Sequence, residues 1–324
     1  MILSFSKKML IVGSMIFAIS TANFAQSTLH VIKVKKPKDT HRFFRYTGKD
    51  MPVISGHRGG IVRGFPENSI ESFENTLKHT PAFFEIDPRL TKDGVIVLMH
   101  NATLEQTTNG TGKLSDYTWA ELQQFRLKDI EGKVTNFTIP SLEAVIEWAR
   151  GKTILNLDIK DVPPEMYVEI IKRLKAEAFV MLTVHNPEQA MYYYREMPSI
   201  TFSAHVLTKE AFEAYDRAGF PWKQSIAYIG PSVKPENREL YDLIHSRGAT
   251  CMISAAPTYD KLQDAAERRQ AYMDVFNDGA DILESDLPIE VAEAVKSLLP
   301  EKSKKKKYFG TINCKQYYGK AGLF

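Results

Sequence analysis

Phe84-Glu85-Ile86-Asp87 is the stretch from which the fold can be read. Side chains alternate along a β-strand, so Phe84 and Ile86 share one face while Glu85 and Asp87 share the other. Leu155-Asn156-Leu157-Asp158-Ile159-Lys160 repeats the split, with the aliphatic residues outward and Asn156, Asp158 and Lys160 inward. Residues 282–286 bring Glu284 and Asp286 onto one face in the same way. Strands that are apolar outside and polar inside, with the polar groups at their carboxyl ends, are the pattern of an active site in a (β/α)8 barrel.

Outward from these segments, short apolar runs alternate with amphipathic helices from Pro52 onward, the signature of a parallel α/β fold. Expected strands are 53–57, 83–87, 95–100, 153–160, 179–184, 201–205, 226–229, 250–254 and 281–284. That is one more than a (β/α)8 barrel uses, so one is short or peripheral. Asn68 with Glu71 makes a capping pair, after which Ile70, Phe73 and Leu77 fall on one helix face. Ser141 opens a helix carrying Leu142, Val145, Ile146 and Ala149 as its apolar stripe.

Two places break the alternation. No crossover helix fits between Asp87 and Val95, so the early strands of the barrel are irregular. Residues 101–139, which include Thr107-Thr108-Asn109-Gly110-Thr111-Gly112, read as a small insertion after the third strand, lying over the barrel mouth. The expectation is an α/β fold, a TIM-type (β/α)8 barrel over 51–300.

A length of 324 residues suffices for one large barrel or two small domains, and the alternation selects the barrel. Residues 1–25 read as a secretory signal: Lys7 and Lys8 precede an apolar run too short to span a bilayer, then Ser20, Ala22 and Ala25 offer small-residue cleavage sites. An exported protein, periplasmic or extracellular, follows, with no stable membrane insertion once the signal is cleaved. Residues 26–50 read as a linker or barrel cap and 301–324 as a basic disordered tail. The net charge of +3 derives partly from that tail, so no nucleic-acid partner is expected. Cys251 sits in an apolar run and Cys314 in the tail, and no disulfide is expected between them.

Glu85, Asp87 and Asp158 are carboxylates converging on one point, and like charges that close need a compensating cation. All-oxygen ligation favours one Mg²⁺ or Ca²⁺ over zinc. Arg58, with its planar fork of donors, and Lys160 suit phosphate. His57 and His100 fit a general acid/base pair.

Taken in order, His57-Arg58-Gly59, Pro66-Glu67-Asn68-Ser69, Glu85-Ile86-Asp87, Thr91-Lys92-Asp93-Gly94 with His100, and the 107–112 run resemble the glycerophosphodiester phosphodiesterases. Asp158-Ile159-Lys160 is similar to that family's Glu-x-Lys strand, and Ser285-Asp286-x-Pro288 to its last strand end. The resemblance runs from about Val53 to Leu299. It implies His57 and His100 as catalytic residues, Glu85, Asp87 and Asp158 as metal ligands, and Arg58, Lys160 and Glu67 as substrate contacts. The implied partner is a small glycerophosphodiester, hydrolysed to glycerol phosphate and an alcohol. A glycerol 2-hydroxyl held near phosphorus has a large proximity advantage over water, so the expected physical route is a cyclic phosphate.

Three positions depart from the family pattern. Asn101 stands where an Asp is usual, Asp158 is one methylene shorter than the usual Glu, and Met252-Ile253-Ser254 replaces a Trp-bearing motif. His185 and His205 also end strands and read as structural histidines. These departures keep two alternatives open: a catalytically weak binder of a glycerophosphate headgroup or envelope polymer, and a lysophospholipase D-like enzyme. The latter needs an apolar entrance, which Phe125, Leu127 and Phe137 supply unless they form the insertion's own core.

Overall fold

Residues 28–48 and 50–313 are described by the computed structural model of the chain. They begin with β1 (Thr28–Ile32) and α1 (Pro37–Phe44). Next come β2 (Val53–His57), α2 (Ile70–His79), β3 (Phe83–Ile86), β4 (Pro88–Leu90), β5 (Ile96–Leu98), α3 (Trp119–Leu122) and α4 (Leu142–Ala149). The chain continues through β6 (Leu155–Leu157), α5 (Pro164–Arg173), β7 (Val180–Val184), α6 (Pro187–Glu196), β8 (Thr201–His205), α7 (Lys209–Arg217) and β9 (Ser225–Tyr228). It ends with α8 (Asn237–Ser246), β10 (Thr250–Ser254), α9 (Ala265–Asp278), β11 (Ile282–Ser285), α10 (Pro288–Ala294) and β12 (Phe309–Asn313).

Strands β2, β3 and β6 to β11 close into a parallel barrel in the order β10-β11-β2-β3-β6-β7-β8-β9. This is the TIM-barrel fold that the alternation predicts. Outward-facing residues make the core between strands and helices: Phe84 on β3 stacks on Phe73 of α2 at 4.9 Å, with Trp148 of α4 at 6.5 Å. The register sets His57 beside Glu85, and Glu85 beside Asn156, so the inward polar groups share one level.

The extra expected strand, 95–100, lies outside the barrel. Its central residues form β5, which pairs antiparallel with β4, Pro88 opposite Leu98. The chain after Asp87 has no room for a crossover, so it folds back on itself. The insertion therefore starts at Pro88, after the second barrel strand rather than the third. It has its own core of Val97, Met99, Leu104, Leu114, Leu122, Leu127 and Ile139, with Phe125 and Phe137 packed against it. Leu127 is part of that core, and Phe125 and Phe137 pack against it.

At the opposite end, β1 and β12 form an antiparallel pair, and Ile32 N donates to Lys152 O, just ahead of β6, at 2.8 Å. Disorder expected from residue 301 onward fails for 304–313, where a 3-10 turn leads into β12. The reason is apolar content that a charge count overlooks: Phe43 packs edge-on against Tyr308 and Phe309 at 5.7 and 5.6 Å. The signal at 1–25 and Cys314 lie outside the described residues. Among the described residues no helix is long and apolar enough to cross a membrane.

Candidate active site

His57 ends β2, and the chain after it turns sharply to reach α2. Arg58 and Asn68, at the two ends of that turn, have φ of 53° and 55°, strained for side chains with a Cβ. Hydrogen bonds hold the strain: Arg58 N donates to Glu85 O at 3.0 Å and Asn68 N to Arg58 O at 2.8 Å. Gly59 has φ 98°, and a Cβ there would meet Phe73 at 2.6 Å, so only glycine lets the turn lie this close to α2.

The turn fixes two side chains over the barrel. Asn68 does not cap α2; Ser69 does, its Oγ accepting from Ser72 N at 3.1 Å. Asn68 instead clamps Asp87, donating from Nδ2 to Oδ2 at 2.7 Å and accepting Asp87 N at 3.0 Å. Arg58 Nη1 reaches both Glu67 oxygens at 3.3 and 3.2 Å. Its Nε makes no hydrogen bond and lies 3.5 Å from Asp87 Oδ2.

Glu85, Asp87 and Asp158 present ligand atoms all within 4.8 Å of one another. Burial, reinforced by Asp87, Glu284 and Asp158, pushes the Glu85 carboxyl well above the usual carboxylate range. For Asp158, burial acts upward, but His185 and Lys160 outweigh it and hold the group low. Lys160 Nζ lies 2.7 Å from Asp158 Oδ2 and 3.1 Å from Asp87 Oδ1. The shorter Asp158 thus still joins the cluster. Such an all-carboxylate pocket, under-compensated by the protein's own cations, can hold a divalent metal ion.

The two histidines are supported differently. His57 Nδ1 pairs with Asp286 Oδ1 at 2.6 Å, and its Nε2 faces Glu85 Oε2 at 3.8 Å. Burial lowers the His57 pKa, but the hydrogen bond to Asp286 and the charge of Glu284 reverse that, and the net shift is upward. Asp286 is itself held by Lys261 Nζ at 3.0 Å. His100 lies just past β5, where Met99 N donates to Asp87 O at 2.9 Å. Arg89 pins the His100 carbonyl through Nε and Nη2 at 2.9 and 2.7 Å, and its Nη1 ties Asp161 at 2.7 Å. His100 Nδ1 meets Asn101 Oδ1 at 2.6 Å. Asn101 therefore still orients the ring, although it carries no charge. No hydrogen bond or ion pair joins His100 to His57 or to the carboxylates among the described residues.

Strand alternation puts Glu284 and Asp286 on the inward face but gives them no role, Asn68 reads only as a helix cap, and Lys261 is not singled out. Glu284 is buried and accepts Ser55 Oγ at 3.2 Å. The inward face of 282–286 and the Ser285-Asp286-x-Pro288 match were the available signals, while Lys261 arrives from an irregular loop. His185, expected to be structural, stands half-exposed 3.8 Å from Asp158 Oδ1, and its ring lies 4.3 Å from that of His205. With Tyr228, 4.8 Å from His205, these rings line the rim at β7 to β9. They supply an aromatic surface in a chain that lacks the Trp motif.

The chain is similar to several known proteins. The profile of the Glycerophosphoryl diester phosphodiesterase family matches residues 57–207. A crystal structure of a glycerophosphoryl diester phosphodiesterase from Parabacteroides distasonis is 54% identical, covering 88% of this chain and 100% of its own, with a TM-score of 0.86. A glycerophosphodiester phosphodiesterase from Bacillus altitudinis is 30% identical over 51% of this chain and 70% of its own. At 22% identity, an Oleispira antarctica phosphodiesterase solved with sn-glycerol-3-phosphate shares the fold, covering 76% of this chain and 97% of its own with a TM-score of 0.58. A relative more than half identical along its whole length, joined to a mouth where separate motifs meet, settles the matter: the chain belongs to the glycerophosphoryl diester phosphodiesterase family and is a glycerophosphodiester phosphodiesterase.

Proposed function

We propose that the barrel mouth hydrolyses glycerophosphodiesters to glycerol phosphate and an alcohol, with His57 and His100 exchanging the protons and one Mg²⁺ or Ca²⁺ held by Glu85, Asp87 and Asp158. The observation that carries this reading is the convergence of three carboxylates beside an Arg58–Lys160 pair and a histidine backed by Asp286. When bound, the cation supplies Lewis-acid polarisation of the phosphate and a lowered pKa for a nearby hydroxyl.

The protein's own groups account for the rest. Arg58 and Lys160 hold the phosphate oxygens. Asp286 accepts from His57 Nδ1–H, which leaves Nε2 free to take a proton and stabilises the imidazolium that results. His57 then removes the proton of the glycerol 2-hydroxyl as that oxygen attacks phosphorus. His100, its ring oriented by Asn101 Oδ1 at Nδ1, gives a proton from Nε2 to the leaving alcohol oxygen. Water opens the resulting cyclic phosphate with the roles reversed: His100 takes the water proton and His57 returns one to the 2-oxygen. An internal hydroxyl beside phosphorus has a large proximity advantage over bulk water.

The signal read at residues 1–25 supports export to the periplasm or extracellular space. Glycerophosphocholine turnover, followed by release of choline, tests the proposal. No turnover of any glycerophosphodiester by a folded protein would end it. Equal rates for an analogue lacking the 2-hydroxyl would end the cyclic route alone.

A further inference from the structure

Between β10 and α9 the chain makes a 3-10 turn, Tyr259–Lys261, that is tied to three neighbouring elements. Val233 N, in the segment after β9, donates to Tyr259 Oη at 2.9 Å. Half-buried Asp260 accepts Tyr272 Oη of α9 at 2.6 Å. It also accepts Ser285 Oγ at 2.9 Å and Asp286 N at 2.6 Å, which fastens the turn to the end of β11. Lys261 N closes the turn onto Thr258 O at 3.0 Å. A surface lysine needs no such mounting, and this one is aimed at the mouth.

The mounting bears on Asp286. The two oxygens of that carboxylate have different partners: Oδ1 meets His57 Nδ1 at 2.6 Å, and Oδ2 meets Lys261 Nζ at 3.0 Å. Residues 260 and 261 thus grip the main chain and the side chain of the same aspartate. An ion pair between two exposed groups contributes little. Here the Asp286 side chain is 7% exposed and only that of Lys261, at 62%, is in water. A buried acceptor that loses its donor is costly to leave as it stands, so the carboxylate would turn to find another. That rotation would move Oδ1 off His57, whose Nε2 faces Glu85 at 3.8 Å across the centre of the site.

We propose that Lys261 is a positioning residue for the hydrolysis: it locks the Asp286 carboxylate, which in turn keeps the His57 ring directed at the reacting centre. Lys261 acts on the rate through Asp286 and makes no contact with substrate. The inference rests on the phosphodiesterase reading above and adds to it a residue outside the strand ends.

The test follows glycerophosphocholine turnover with added Mg²⁺. Lys261→Met keeps the stem and removes the ammonium. It should lower kcat by about tenfold with KM unchanged, a modest share of the ~100-fold that a misplacement of about 1 Å can cost. Lys261→Arg, which returns a cationic donor to an exposed position, should recover most of that loss. In an Asp286→Asn background Lys261→Met should cost nothing further, because residues that act as one unit are not additive. Unchanged kcat in Lys261→Met, a change confined to KM, no recovery in Lys261→Arg, or additive losses in the double variant would each overturn the positioning role and leave the phosphodiesterase reading standing. No turnover by the wild-type protein overturns both.

Discussion

The two ends of this barrel both bury charge, and they treat it in opposite ways. At the bottom, below β6 and β10, buried ionic groups are tied down. Lys152 donates to Trp148 O at 2.6 Å, and Asp281 accepts His245 Nε2 and Cys251 N, both at 2.8 Å. Aromatic rings pack on them: Tyr46 stacks on His245 at 3.6 Å, and Lys152 Nζ lies 5.2 Å from the Trp148 ring centroid. At the mouth, Glu85, Asp87, Asp158, Glu284 and Asp286 crowd together, and Arg58, Lys160 and Lys261 do not fully offset them. Buried like charges cost stability unless something compensates them. The bottom is built to hold the fold, and the mouth keeps an excess of carboxylate charge that the proposed cation would offset.

The sharpest way to break this contrast is to neutralise one mouth carboxylate. Glu85→Gln should cut kcat/KM by roughly 1000-fold or more, the scale of losing a principal electrostatic element. Its apo melting temperature should hold or rise, because the like-charge crowding on Glu85 is relieved. A large drop in melting temperature would show that the cluster is structural.

The counterpart at the bottom is Phe43→Ala. Phe43 is fully buried against Phe44, Tyr308 and Phe309. Truncation should cost about 3 to 5 kcal/mol of unfolding free energy, while kcat per folded molecule stays at the wild-type value. Denaturant unfolding and active-site titration check both halves. Between these two effects and the smallest, Asp286→Asn should lower kcat by about 100-fold, since an amide no longer stabilises the His57 imidazolium. Unchanged kcat there would remove Asp286 from the proton path.

The smallest effect concerns Lys305, buried at 3% exposure beneath the barrel. Burial pulls its pKa below the ordinary 10.5, against the opposing charges of Asp281 and Asp50. Between the lowered value and 10.5 the unfolded chain holds a proton that the folded chain has released, so stability rises with pH across that window. Below the lowered value both states are protonated and the penalty is fully present. Lys305→Met should flatten the alkaline rise and stabilise the protein near neutral pH by about 1 kcal/mol. Parallel stability curves for the two proteins would contradict this.

Much of the mouth was legible because strand alternation and chemistry coincide there. Glu85, Asp87 and Asp158 each follow an outward-facing apolar residue, Phe84, Ile86 and Leu157, so period and charge pointed to the same inward face. The insertion's start was harder to read: Ile96-Val97-Leu98 has strand composition, and only pairing geometry shows that it turns back on Pro88 instead of joining the barrel. Asn68 looked like a cap because of its spacing to Glu71, whereas Ser69 next door takes that role and frees Asn68 for Asp87. The tail was read by its lysines, but Tyr308 and Phe309 decide its fate through contacts with Phe43, distant in sequence. Lys261 has no local signal at all, since its partner Asp286 belongs to another element.

If the mouth works as proposed, its excess carboxylate charge is offset by a divalent cation during turnover. Glycerophosphocholine hydrolysis measured after exhaustive chelation, and again after adding back Mg²⁺ or Ca²⁺, addresses it most directly. Turnover should disappear with the metal and return with either cation in the wild type, but not in Glu85→Gln. Full turnover in the presence of excess chelator would contradict it.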